Sequence, residues 1–284
     1  MFKIRMLVLL WASCIAANSI QDIYGITAEK IIESAIIDST AYKRLALICD
    51  SFGPRLSGSK NLEKTITWIL KEMKKDGLTG VEGQRVKVPV WIRGEESITL
   101  LKPFKKNMSM LGLGGSVRTN RGGITSEVIV VNDFDDLDRK SKSVKGNIVL
   151  FNVPFSNYGK TVRYRYEGAS AASKYGAIAS LVRSVGPWSM NTPHTGVMSY
   201  TDNLPKIPHA AVTMEDAMML GRLYERGVPI ILKMEMNART VADRISRNII
   251  AEIKGYKYPD PPNCQSSFKQ FNEIVKEHFE HEKE

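Results

Sequence analysis

Cysteine and histidine are scarce in this chain, at three and four among 284 residues. So few cysteines exclude a disulfide scaffold or a thiolate metal cage. Few histidines leave little for a multi-histidine metal centre. No apolar run reaches the roughly 20 residues that a membrane-spanning helix needs. Dense basic runs are missing too, the longest pieces being Lys71–Lys75 and Arg139–Lys145. The excess of 40 Lys+Arg over 30 Asp+Glu, net +10, therefore reads as scattered surface charge, and no nucleic-acid partner is expected. A 43% hydrophobic and 25% charged composition is that of an ordinary globular protein and excludes wholesale disorder.

The signatures of common hydrolases are also missing. There is no Gly-x-Ser-x-Gly elbow, and neither Cys49 nor Cys264 has a histidine nearby in sequence. His278-Phe279-Glu280-His281 has the wrong spacing for a His-Glu-x-x-His zinc helix and reads as a solvated pair. His194 and His209 each follow a proline, far apart in sequence. Gly112-Leu113-Gly114-Gly115 neither follows a clear strand nor opens a helix, so it reads as a hinge and not a phosphate loop. Residue patterns alone nominate no catalytic side chain and no metal ligand.

What is present begins at the amino terminus. Lys3 and Arg5 precede the apolar run Met6–Ala17, and small residues follow up to Ser19. This is the layout of a cleavable secretory signal over residues 1–19. It predicts a secreted protein, with the extracellular space, a lysosome or another secretory lumen left open. In that compartment Asn107-Met108-Ser109 becomes a glycosylation sequon, with Asn107 as acceptor. Cys14 leaves with the signal. Cys49 and Cys264 remain, bridged or free, and the run Leu45–Cys49 favours a buried thiol at Cys49.

Periodicity predicts helices from Thr27 to about Asp50, broken near Ser39 and Thr40, which would cap the second. A further helix, capped by Ser57 or Ser59, carries Leu62, Ile66, Ile69, Leu70 and Met73 on one face and ends at Gly77. Val86–Trp91 and Ser97–Leu101 read as a strand pair joined by the turn Arg93–Glu96. After a glycine-rich boundary at Gly112–Gly123 come short strands of the fully buried kind at Glu127–Val131 and Asn147–Phe151, then strands at Ala177–Val182 and Ile207–Val212. Helices at Thr161–Tyr175 and Met214–Arg226 intervene, and Val228–Met236 closes the unit. The strand–helix–strand order predicts a right-handed βαβ crossover. Asn237–Arg247 reads as polar chain before a last strand, Asn248–Ile253. A Pro-rich linker and a helix with Phe268, Phe271, Val275 and Phe279 on one stripe complete the chain.

One extended segment, Gly53-Pro54-Arg55-Leu56-Ser57-Gly58-Ser59-Lys60-Asn61-Leu62-Glu63-Lys64, resembles the opening of the M28 zinc aminopeptidase and carboxypeptidase family. Arg93-Gly94-Glu95-Glu96-Ser97, Pro193-His194-Thr195-Gly196, Pro205-Lys206-Ile207-Pro208 and Glu215-Asp216-Ala217 resemble it as well, in the same order from about Ala41 to Pro259. The resemblance implies an α/β fold: an incomplete M28-type α/β/α peptidase domain with an inserted protease-associated α/β domain. The divisions it suggests are 1–19 signal, 20–111 front of the peptidase domain, 112–240 protease-associated domain, 241–258 return strand, and 259–284 divergent linker and helix. It also implies paired zinc ions, held by two histidines, two aspartates and a glutamate, with a second glutamate as general base. All of these would follow the strand ending near Lys254, and no position of this chain matches them. The implied activity is peptide-bond hydrolysis by a secreted zinc carboxypeptidase or dipeptidase, acting on a peptide or dipeptide, with a homodimer left open. This chain would lack the catalytic half and be inactive alone. The alternative is a non-catalytic binding or regulatory protein that acts through the protease-associated domain or pairs with the full-length enzyme. On either reading the faces of 62–73 and 86–101 would lack their normal partners.

Overall fold

The computed structural model describes residues 20–253. The signal, the Pro-rich linker, Cys264 and the Phe/His segment lie outside the described residues. The chain divides into two compact units, up to Arg55 and from Leu56 onward.

The first unit holds α1 (Ile20–Ile37) and α2 (Thr40–Phe52). The break falls where expected, yet Ser39 makes no capping bond, and Asp38 Oδ1 instead accepts from the Thr40 N–H at 2.8 Å. A side-chain oxygen reaching a free amide near the helix start does the work of a cap. Gly53, at φ 65°, ends α2. No residue of α2 is buried, and Cys49 is an exposed free thiol, which corrects the buried thiol expected above. Ile31 and Ile36, on α1, are likewise exposed.

In the second unit, α3 (Lys60–Lys75) starts at Ser59, whose Oγ accepts from the Leu62 N–H at 3.2 Å. Its apolar face packs on a two-stranded antiparallel ribbon of β1 (Thr79–Ile92) and β10 (Arg239–Glu252), burying Ile66. Glu63 ties the two together. Its carboxylate accepts from Ser246 Oγ at 2.6 Å and from Arg247 Nε at 3.2 Å. This pairing corrects two expectations. Val86–Trp91 does not form a hairpin with Ser97–Leu101, and Asn237–Arg247 is mostly strand. The cause is the turn at Arg93–Glu95. Gly94 sits at φ 71°, and the chain there crosses from the ribbon into a second sheet, where a Glu95 carbonyl accepts from the Asn237 N–H at 3.0 Å.

That second sheet has eight strands: β2 (Glu96–Lys102), β3 (Lys106–Met108), β4 (Met110–Gly112), β5 (Ile124–Val131), β6 (Ile148–Phe151), β7 (Ala179–Arg183), β8 (His209–Val212) and β9 (Ile231–Met236). Their spatial order is β3-β2-β9-β5-β6-β7-β8-β4. Strands β5 to β8 run parallel and the outer strands antiparallel. The two edges, β3 and β4, are joined by Ser109 alone. Consecutive Cα atoms stand about 3.8 Å apart, so the sheet is rolled until its edges nearly meet. Residues 96–111, expected with the front of the peptidase domain, are therefore built into the same sheet as the strands that follow.

The short helices α4 (Phe134–Arg139) and α5 (Ser141–Val144) and the longer α6 (Tyr158–Ser173) and α7 (Met214–Glu225) complete the unit. Alternate residues of the parallel strands enter two cores. Val128, Val130, Ile148, Leu150 and Leu181 meet Met234 and Leu220 in one. Ile129, Val131, Val149, Phe151 and Val182 pack with Ala169 and Ala172 of α6 in the other. Strands buried on both faces read as continuous apolar runs, which is why they were legible. Gly168 lets α6 settle on the sheet, because a Cβ there would lie 3.0 Å from the Phe151 ring.

Candidate functional site

Two of the family-like segments, Arg93–Ser97 and Pro193–Gly196, distant in sequence, meet at one junction at the end of the rolled sheet. Arg93 leaves the ribbon with its guanidinium 5.4 Å from the Trp91 ring centroid and donates from Nη2 to the Gly112 carbonyl at 3.2 Å. Thr195 Oγ1 donates to the same carbonyl at 3.2 Å. The Gly112 N–H in turn donates to Glu96 Oε2 at 3.0 Å. Gly114 and the 196–198 segment exchange backbone bonds, Gly114 N–H to the Gly196 carbonyl at 2.8 Å and Met198 N–H to the Gly114 carbonyl at 3.0 Å. Residues 112–115 are thus clamped between β8 and this loop, and are not the hinge the sequence suggested.

Two buried polar groups give the junction its electrostatics. The Glu96 side chain is 10% exposed, and Oε1 has no hydrogen-bond partner. Burial raises its pKa above the usual carboxylate value, against the pull of the Gly112 N–H and of Arg93. Arg165, 6% exposed, reaches across from α6 to the Thr195 carbonyl and to Tyr158 Oη at 2.9 Å. The Pro193–Gly196 loop is pinned again by the His194 N–H, which donates to Ser184 Oγ at 2.8 Å. His194 itself points to solvent and is exposed.

His209 is the reverse case. It opens β8, is 0% exposed, and its Nδ1 lies 2.5 Å from Ser180 Oγ. A serine beside a histidine invites a nucleophilic reading. The pair is sealed between α6 and the sheet, where the His209 ring approaches Gly168, and no substrate can reach it. It is a structural polar contact that holds β7 to β8.

No zinc fits the residues described. Among them no group of three or more His, Cys, Asp or Glu side chains could hold a metal ion. Of the histidines, His209 is buried with Nδ1 engaged and His194 stands alone, while His278 and His281 lie outside the described residues. Asn107, the sequon residue, is exposed on β3. Sequence reasoning found the segments that build the junction. It missed Arg165, whose role depends on a loop thirty positions away, and Glu96 as an individual carboxyl.

No protein-family model matches the chain. Curated proteins do match: carboxypeptidase Q of Mus musculus is 46% identical over 240 residues, 84% of this chain and 51% of that protein. Carboxypeptidase Q of Xenopus laevis is 49% identical over 240 residues, with the same coverage of 84% and 51%. The chain spans about half the length of these relatives. Among solved structures, a peptidase M28 precursor from Shewanella amazonensis superposes with a TM-score of 0.77 at 28% identity, covering 83% of this chain and 55% of its own. A zinc aminopeptidase from Bacillus subtilis, 22% identical, shares the fold with a TM-score of 0.52, covering 76% of this chain and 47% of its own. The α/β architecture is thus that of M28 peptidases, and over the residues it spans the chain is a partial carboxypeptidase Q-like M28 protein.

Proposed function

We propose that this chain is the front part of a secreted, zinc-dependent carboxypeptidase Q-like peptidase, and that it is inactive by itself in peptide-bond hydrolysis. One observation carries the reading. Identity of 46% runs over 84% of this chain yet reaches only 51% of the relative, while the described residues offer no metal-holding group. The rolled sheet is its protease-associated domain, expected over 112–240 and extended by its strand pairing to start near Glu96. In the whole enzyme this domain would border the access route of a peptide or dipeptide. The ribbon β1–β10 and α3 are the remnant of the peptidase domain. The apolar run before Ser19 supports export, and the exposure of Asn107 supports its glycosylation.

A second reading is favoured by a specific feature. The ribbon has only two strands, so among the described residues both of its outer edges are unpaired. Open edges invite another chain. The protein would then act without catalysis, by pairing with a full-length enzyme or as a homodimer.

The test is secretion of the chain from eukaryotic cells, followed by mass spectrometry, zinc analysis and dipeptide hydrolysis with and without chelator. We expect an amino terminus near Ile20, a glycan on Asn107, no stoichiometric zinc and no chelator-sensitive turnover. Turnover with bound zinc would refute the inactive reading.

A further inference from the structure

The chain between β4 and β5 crosses the end of the rolled sheet and opens two adjoining hollows. The larger, about 630 Å³, is lined by Arg118, Arg121, Lys206, Glu235 and Asn237 among others. The second, about 460 Å³, shares Arg118 and Lys206 with it and continues over Ile124, Ala177, Ile178 and Ile207. One end of the groove is cationic and the other apolar. Among the described residues Arg118, Arg121 and Lys206 make no ion pair. Glu235, the carboxylate facing them, is held by Lys233 at 2.7 Å. The cationic end therefore keeps its charge.

The cations stand on backbone that is already fixed. The Thr119 N–H donates to the Met236 carbonyl at 3.0 Å, and Thr119 Oγ1 accepts from the Met236 N–H at 3.2 Å. Gly123, at φ 83°, lies flat on β9, where a Cβ would come within 2.7 Å of the Met234 carbonyl oxygen. The Val117 N–H donates to Tyr200 Oη at 3.1 Å, and the ammonium of Lys206 sits 5.7 Å from that tyrosine ring. Little ordering is left for a ligand to impose, which removes much of the usual cost of binding.

Arginine pairs with carboxylates through charge-assisted, often bidentate, hydrogen bonds. A single-stranded nucleic acid would want stacking aromatics along the track, and among the described residues neither hollow is lined by one. An apolar floor beside the cations suits an extended peptide. We infer that this groove binds an acidic peptide, seating a carboxylate among Arg118, Arg121 and Lys206 and an apolar neighbour over Ile124 and Ile178. The inference concerns binding and not hydrolysis, so its failure and that of the peptidase reading are separable.

The experiment measures fluorescence anisotropy of a fluorescein-labelled peptide, carrying leucine beside paired glutamates, titrated with the full chain. Free-acid and amidated forms are compared to learn whether the carboxylate is terminal or from a side chain. We expect saturable binding that weakens with salt, and loss of about fivefold or more in affinity for Arg118→Ala/Arg121→Ala. Both residues are exposed, so unchanged circular dichroism will show that the double variant is folded. Equal affinity of parent and variant, equal binding when lysines replace the glutamates, or no binding at about 1 mM protein would overturn the inference.

Discussion

The buried imidazole of His209 makes the stability of this fold sensitive to mild acid. Burial is the largest cause of its depressed pKa, from 6.5 to about 4, only partly offset by the backbone at Ser180, Tyr164 and Arg165. The ring contacts Ser180 at Nδ1 and is fully buried, so a second proton would place a charge out of reach of water. Because the folded pKa lies below the unfolded one, the unfolded chain holds more protons between these values. Stability is full above about pH 6.5 and falls as the pH drops toward 4. A shift of this size at about 1.4 kcal/mol per unit predicts a loss of ~3 kcal/mol across the window. Urea unfolding of the full chain at several pH values, compared with His209→Asn, isolates this contribution, since other titrating groups are common to both proteins. Asparagine can still bond Ser180 but does not titrate. The parent should lose ~3 kcal/mol more than the variant between about pH 7 and pH 4. Parallel stability curves would refute the reasoning, whatever the variant's stability at neutral pH.

Four further outcomes rest on the same structure. Gly94→Ala places a Cβ 2.8 Å from the Asn237 carbonyl oxygen at a φ of 71°, so chemical denaturation should show a loss of about 2 kcal/mol or more, and a neutral result would mean the crossing turn is not needed. Removing the cap of α3 with Ser59→Ala should cost about 1 kcal/mol, and Ile66→Ala beneath the same helix about 2–4 kcal/mol, both read from urea midpoints. Limited proteolysis should leave a resistant fragment beginning near Glu96 and ending near Ala238. Residues 20–55, with no buried side chain in α2, should be cut first, and uniform digestion would count against a separately stable rolled sheet.

How much could be read from the chain itself depended on the range of the interactions. The strands at Val128–Val131 and Ile148–Phe151 were legible because burial on both faces leaves an unbroken apolar run. The cap of α3 was legible as Ser57 or Ser59 because such a bond spans only a few residues, and the structure selects Ser59. The junction was half legible. Its segments stood out by resemblance, but not that Arg93, Gly112 and Thr195 would share one carbonyl.

Sequence alone determined the local periods and the kinship to M28 peptidases. Tertiary structure decided what a strand pairs with and what covers a side chain. Val86–Trp91 found its partner far along the chain in β10, Val86 beside Ser246 and Trp91 beside Thr240, by a register that no local pattern encodes. Ser109 joined the two edges of a sheet and so rolled it, and the tertiary structure brought Arg118 and Arg121 of one loop beside Lys206 of another, next to an apolar floor. Cys49 came out opposite to what its surroundings in the chain suggest, exposed and not buried, because burial is a property of the packing of distant segments.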